Sequence, residues 1–340
     1  MNKNYSIYFF RIISTLFVIG IHSFGFYSVS INTYTILMSF FSLAVPFFFL
    51  TSGYFMYISL NRRDNIKEKQ LYLFKYLFNL LIVYFICTLI DGLFIYFENY
   101  YLLNIKVDIL RWIFSKETLL GLHTGGYFYP IWFLIALIHS HLIIYLFKNK
   151  LKVVVSISLA IYILLYILQV IKIIDISRNV FSIGLFFTSL GYLIGIYKKE
   201  LIIYLENKSK NVFKLIYLII LILLILEVDI IYFNINTTLS SYLSLILLTP
   251  LTFIILIKNP NIFKNKNVEV LGSNTFGVYL LHSFILRVIY LILNHYDISQ
   301  YFISNIVIFS IFIITVYIIS YILYYSPIYI FNKLREKLKY

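Results

Sequence analysis

Apolar runs of membrane-crossing length recur along the whole chain, and only short polar segments separate them. About 20 apolar residues at a 1.5 Å rise cross roughly 30 Å of hydrocarbon, so such runs predict transmembrane helices. On this rule the spans fall at 6–28, 34–58, 71–93, 130–147, 152–172, 180–197, 213–229, 239–257, 273–293 and 301–328. The fourth and sixth are near the lower length limit, and the last is long enough to tilt or to run past the interface. Backbone groups left unpaired in lipid are costly, which favours helices. The expected fold is all-α: a polytopic bundle of about ten transmembrane helices, forming a single membrane domain over 1–340.

The polar segments test this count. With the N-terminus inside, the stretch 59–75 carries five Lys or Arg, 148–152 three, 198–214 five, 258–267 three and the tail from Lys333 four. The opposite side has none at 29–33, 230–238 or 294–300. That alternation follows the positive-inside rule and places both termini in the cytoplasm. One outer segment, 94–129, is longer than a turn needs. Within it, VDILRWIFSKETLLGLH mixes apolar and charged residues in the manner of a helix lying at the outer interface. TGGYFYP then breaks the helix. A lid, an acceptor-binding element and a plain interfacial spacer all fit this segment.

Composition agrees. The chain is 61% hydrophobic and 12% charged, against roughly 25% charged for a soluble domain. The net charge of +14 does not point to nucleic acid, because the basic residues form short clusters between apolar spans. The single cysteine, Cys87, lies in an apolar run and excludes a disulfide within the chain. The first span follows a weak basic region with no small-x-small site, so it reads as a retained helix rather than a cleaved signal.

Three polar islands interrupt the apolar runs. The first is RIISTLFVIGIH, 11–22. Eleven residues on a helix end about 20° past three full turns, so Arg11 and His22 share a face roughly 16 Å apart. Arg11 can snorkel to headgroups or hold an anion. An intramembrane histidine faces a bundle interior or a cavity, where it either packs against a carbonyl or acts as a base. The second island is VPFFFLTSGYFM, 45–56, where Pro46 can kink the helix, Ser52 and Gly53 permit close helix approach, and Tyr54 packs or anchors. The third is LGSNTFGVYLLHSF, 271–284. Here Tyr279 and His282 share a face and either bind one ligand or bond each other, and Ser273 is placed to cap the helix start. His139 and His141, two apart, point to different faces and read as packed residues. His123 lies in the Gly-rich outer stretch, placed either to bind the acceptor or to serve as a loop residue, and His295 lies in a loop. Asp91, Glu98, Glu117 and Asp175 read as solvated outer charges. No metal-binding pattern is present in the sequence, and no metal is expected.

Taken in order, these islands resemble the membrane-bound acyltransferase 3 family, O-acyltransferases acting on bacterial surface polysaccharides and related acceptors. The resemblance rests on Arg11 and His22 at the family spacing and on VPFFFLTSGYFM. It extends to IWFLIAL at 131–137, FSIGLFFTSLGYLIG at 181–195 and LGSNTFGVYLLH at 271–282. It implies a multi-pass protein of the bacterial cytoplasmic membrane that takes an acyl group, most often acetyl from acetyl-CoA, and delivers it to a hydroxyl of an envelope glycan or lipid-linked saccharide. Succinyl-CoA is another possible donor.

His22 matches the family's catalytic histidine and Arg11 the arginine of the same helix. His282 and Tyr279 fall in its late motif, where they stabilise the oxyanion, position the acceptor or serve structure. The family often has a basic pair early in the third helix. Here YLFKYLFNLL offers Lys75 alone, so the donor's phosphates fall to Lys75 with Arg11, Arg62 or Arg63, and Tyr54 borders that region. A lipid-linked saccharide transporter, or a noncatalytic partner in an envelope assembly, fits the same spans without acyl chemistry.

Overall fold

The computed structural model describes residues 3–28, 30–102, 131–173, 183–206, 210–235, 239, 242–298 and 303–337. Every regular element among them is helical: α1 Tyr5–Ser23, α2 Ile31–Phe41, α3 Ala44–Asn61, α4 Ile66–Leu102, α5 Ile131–Leu146, α6 Leu151–Val170, α7 Leu185–Ile196, α8 Lys198–Glu206, α9 Lys210–Ile235, α10 Leu245–Lys258, α11 Lys266–Ser273, α12 Thr275–His295 and α13 Ile306–Lys337. Among the described residues seven runs are long and apolar enough to cross a membrane: Tyr5–Phe26, Ile31–Asn61, Ile66–Phe94, Lys148–Val170, Asn211–Asn234, Thr275–His295 and Ile306–Ser326. Three shorter apolar helices, Trp132–Leu146, Leu185–Ile196 and Leu245–Lys258, fall where the fourth, sixth and eighth spans are expected. The outward faces are apolar: α4 exposes Phe74, Phe78, Ile82, Phe85, Ile86 and Leu89, a stripe suited to acyl chains and not to water. The described residues are thus all-α, with several helices of the length and apolarity of a multi-pass membrane protein.

Some boundaries differ from the sequence reading, each for a local reason. Pro46 lies in the first turn of α3, where its missing N–H needs no partner, and the second span is divided at Ser42–Leu43 just before it. α4 runs on to Leu102, since nothing in FIYFENYYL breaks a helix; 103–130, with His123, Glu117 and the expected interfacial helix, lies outside the described residues, as does Asp175. Ser273 does not cap α12. It ends α11 and donates to the Val270 carbonyl (2.9 Å), while Asn274 donates to the same carbonyl (2.7 Å). The basic segments near 198–206 and 266–273 form short helices rather than plain loops. α11 does so because Asn265 accepts from the Asn267 N–H (2.8 Å) and Glu269 stands in the first turn.

The described residues form two compact units, Met1–Ala44 with Ile255–Tyr340, and Val45–Ile254. In the first, α1 packs along α11, α12 and α13 around Ile19, Val278, Ile285, Phe309 and Val316. Asn4 caps α1 by accepting from the Ile7 N–H (2.9 Å). At the other end Ser28 N–H donates to Ile303 O (2.9 Å) and Ile303 N–H to Phe26 O (3.1 Å), tying the end of α1 to the start of α13. Gly272 lets α11 lie on the Tyr8 backbone, because a Cβ there would collide with it.

In the second unit, α3 and α7 cross with their backbones touching. A Cβ at Gly53 would meet the Thr188 carbonyl, and one at Gly191 the Leu50 carbonyl. Phe49 fills the space against Trp132 and Phe133. Glu227 of α9 caps α10, accepting from Leu243 N–H (2.7 Å), Ser244 N–H (2.9 Å) and the Ser244 hydroxyl (2.6 Å). A carboxylate at a helix N-terminus is favourable, which accounts for an acid inside a span.

Candidate active site

The α1–α12 contact brings His22 and His282 together. Their ring centroids are 5.4 Å apart and the planes are inclined by 35°. The two residues are far apart in sequence, and only the packing of α1 on α12 makes them neighbours. His282 is fully buried. Its Nδ1 lies 2.6 Å from the Tyr279 carbonyl. Only an N–H can bond a carbonyl, so Nδ1 carries the hydrogen and Nε2 of the neutral ring presents a lone pair. That Nε2 is buried and has no hydrogen-bond partner among the described residues. A buried acceptor left this way is uncommon and suits a site that a polar ligand completes.

Tyr279 thus meets His282 through its own carbonyl; its ring centroid is 5.8 Å from the His282 ring. His22 is half-buried, so the pair has one covered and one accessible member. Arg11 is half-buried on the same helix, and the Thr15 hydroxyl donates to its carbonyl (2.8 Å). Across from it on α13, Tyr317 lies within electrostatic reach of the Arg11 guanidinium and keeps its hydroxyl buried without a partner among the described residues. Sequence reasoning missed Tyr317 because it sits in FSIFIITVYIIS with no charged residue or histidine to mark it.

The other expected residues belong to the second unit. Tyr54 is buried edge-on against Phe253 (5.1 Å), with the Lys198 ammonium 5.9 Å from its ring. Arg63 is engaged: its guanidinium lies 3.7 Å over the Tyr72 ring and bonds the Ser59 carbonyl. Arg62 and Lys75 are exposed. The expected set therefore divides into Arg11, His22, Tyr279 and His282 in one unit and Tyr54, Arg62, Arg63 and Lys75 in the other.

His139 and His141 turn to different faces, as their spacing predicts. His139 Nδ1 donates to Ile135 O in its own helix (2.8 Å). His141, fully buried, bonds Ser52 Oγ through Nε2 (2.9 Å), and Ser52 Oγ is 3.3 Å from the Tyr76 hydroxyl. This is an interhelical clasp between α3, α4 and α5. Its Nδ1 has no partner among the described residues, so Ser52→Ala leaves both ring nitrogens unsatisfied. A loss of about 1–3 kcal/mol is expected, read as a lower melting temperature in detergent; an unchanged melt would show the clasp to be idle. His295 ends α12, exposed beside Tyr296. Among the described residues no group of three His, Cys, Asp or Glu is placed to hold a metal ion.

Comparison with known proteins bears on what this arrangement serves. An amino-acid racemase of Enterococcus faecalis is 30% identical over 163 residues, which are 45% of this chain and 21% of the racemase. The match therefore spans about a fifth of that protein. No solved structure matches. The family model for the acyltransferase domain matches residues 4–325, which takes in α1 with its Arg11 and His22, α12 with His282, and nearly everything between and around them. The chain belongs to the acyltransferase 3 family.

Proposed function

We propose that the protein moves an acyl group, acetyl from acetyl-CoA in the first instance, to a hydroxyl of an envelope glycan or lipid-linked saccharide. The working topology is ten crossings of the bacterial cytoplasmic membrane with both termini inside. It rests on the seven long and three shorter apolar helices and on the alternating loop charge. The observation that carries the reading is the His22–His282 pair, two imidazoles in contact within an apolar bundle.

In this reading His22, the accessible member, takes the proton of the acceptor hydroxyl as its oxygen attacks the thioester carbonyl. The carbon–sulfur bond breaks, and His22 returns the proton to the departing CoA sulfur. His282, with Nδ1–H held by the Tyr279 carbonyl, offers Nε2 only as an acceptor. In its neutral form it therefore orients His22 or the acceptor hydroxyl and does not donate to an oxyanion. Donation falls to the hydroxyl of Tyr279. Arg11 supplies positive charge on the same helix. Lys75 and Arg62 are exposed and suit a phosphate better than Arg63, which Tyr72 and Ser59 already engage.

Vesicles holding the purified protein, acetyl-CoA labelled in the acetyl group and glycans labelled in the sugar separate this reading from transport. Acetyl label joined to the sugar through a base-labile ester supports it. Sugar crossing the bilayer without acetyl label contradicts it in favour of a transporter. Succinyl-CoA in place of acetyl-CoA then ranks the donors.

A further inference from the structure

The unit that holds the histidine pair has a second feature at the opposite end of α1. The last turn of α10 and the segment after it are pinned to the start of α1. Ser6 N–H donates to Pro260 O (3.2 Å), the Ser6 hydroxyl bonds the Asn259 carbonyl, and the Asn4 side chain donates to Leu256 O (3.1 Å). Phe9 and Phe263 stack with centroids 3.8 Å apart. Between α1 and α11 this leaves an open cleft of about 470 Å³, lined by Lys3, Tyr5, Lys264, Lys266 and Glu269 among others.

Its charge is basic. Lys3 is paired with Glu269 at 2.6 Å, and that hydrogen bond holds its ammonium above the ordinary lysine range. Lys264 and Lys266 are exposed and add two further positive charges. Phe263, next to Lys264 in the chain, is 38% exposed although Phe9 stacks on it. Both walls lead to the histidines: Lys3 precedes α1, which carries His22 in its last turn, and Lys266 opens α11, which runs on into α12 and His282. Tyr5 and His22 are about 26 Å apart along α1, with Arg11 between.

We infer that this cleft binds the phosphate groups of the acyl-CoA donor, with Lys264 and Lys266 as the principal cations and Phe263 beneath the adenine. The inference rests on the acyltransferase reading for the identity of the ligand. An elongated molecule with phosphates at one end and a thioester at the other matches a basic cleft and a base at opposite ends of one helix. Aromatic support for a base is worth a useful share of binding and tolerates loose geometry. Among the described residues lining the cleft Glu269 is the one acidic group, and it also occupies Lys3. Lys75 and Arg62 belong to the other unit and are not among the residues that line this cleft. An anionic lipid headgroup carries the same phosphate chemistry, so the test separates the two sources.

The experiment measures binding of labelled CoA to the full chain in nanodiscs of zwitterionic lipid, without turnover. Lys264→Ala with Lys266→Ala is expected to weaken CoA by about tenfold or more, and raised salt to weaken the wild type in the same direction. Inorganic pyrophosphate should compete, and 3′-dephospho-CoA should bind less well. Glu269→Gln should act oppositely, tightening CoA by about two- to fivefold, because it removes a repulsion and releases Lys3. A misfolded variant cannot produce that gain. In transfer assays the double lysine variant should raise KM for the donor and leave KM for the acceptor unchanged. Equal CoA affinity in wild type and double variant overturns the inference. So does phosphatidylglycerol displacing CoA while pyrophosphate does not, which would assign the cleft to a lipid headgroup. CoA bound through the lysines with no transfer to any hydroxyl would sink the acyltransferase reading and leave the cleft standing.

Discussion

Alanine at His22 and alanine at His282 should each lower acyl transfer by about 10²–10⁴-fold, and the double substitution should lower it little further. The expectation follows from the contact between the two rings, 5.4 Å between centroids, and from the fixed tautomer of His282. Groups that act on one proton fail together, whereas independent groups would multiply their losses. His282→Asn is informative beside alanine, since it keeps a polar group but loses the Nε2 acceptor. The partner substitution Tyr279→Phe retains the carbonyl that orients His282, so any loss it causes reports the hydroxyl alone. The readout is initial rate with folded protein, each variant checked by thermal unfolding. Losses that multiply would show that the histidines serve separate tasks.

The second large effect concerns folding. Gly191→Val is expected to prevent accumulation of folded protein, at a cost above about 3 kcal/mol, because the new side chain would occupy the place of the Leu50 carbonyl. Gly53→Val meets the Thr188 carbonyl in the same crossing and should fail likewise. Backbone cannot step aside as a flexible side chain does, so α3 and α7 would have to separate. Gly25→Ala is the matched control, since a Cβ there meets nothing within 4 Å. Monodisperse yield in detergent and melting temperature would check all three. A Gly191→Val protein that melts like wild type would mean that the crossing is looser than described.

The long apolar runs were legible because lipid demands length and apolarity, and both are written residue by residue. Arg11 and His22 were legible as one face of one helix. What joins His22 to His282 was not, because it depends on α1 lying against α12, and the small residue that permits the neighbouring α1–α11 contact, Gly272, has no signature distinguishing it from a turn glycine. Tyr279 and His282 read as either a joint ligand site or a mutual bond; the bond is found, and it runs through a backbone carbonyl that no side-chain pattern reveals. Tyr317 and Glu227 are hidden in apolar runs, and the groups they face, Arg11 and the Leu243–Ser244 backbone, come from distant segments. The cleft at Lys264 and Lys266 reads in sequence as an ordinary basic loop, because its walls belong to distant segments.

The division of the expected donor residues carries a further lesson. Motif order places Tyr54, Arg62, Arg63 and Lys75 near one another along the chain, and they do share a unit. Yet Tyr54 is packed under Phe253, and Arg63 is committed to Tyr72. Local sequence shows which cations exist but not which are already engaged.

The most direct test of the account compares wild type with folded His22→Ala in lipid vesicles, using labelled acetyl-CoA and a panel of envelope glycans. The account predicts labelled glycan from the wild type and its loss in the variant, with donor binding retained. Equal labelling by both proteins would contradict it and remove His22 from the chemistry.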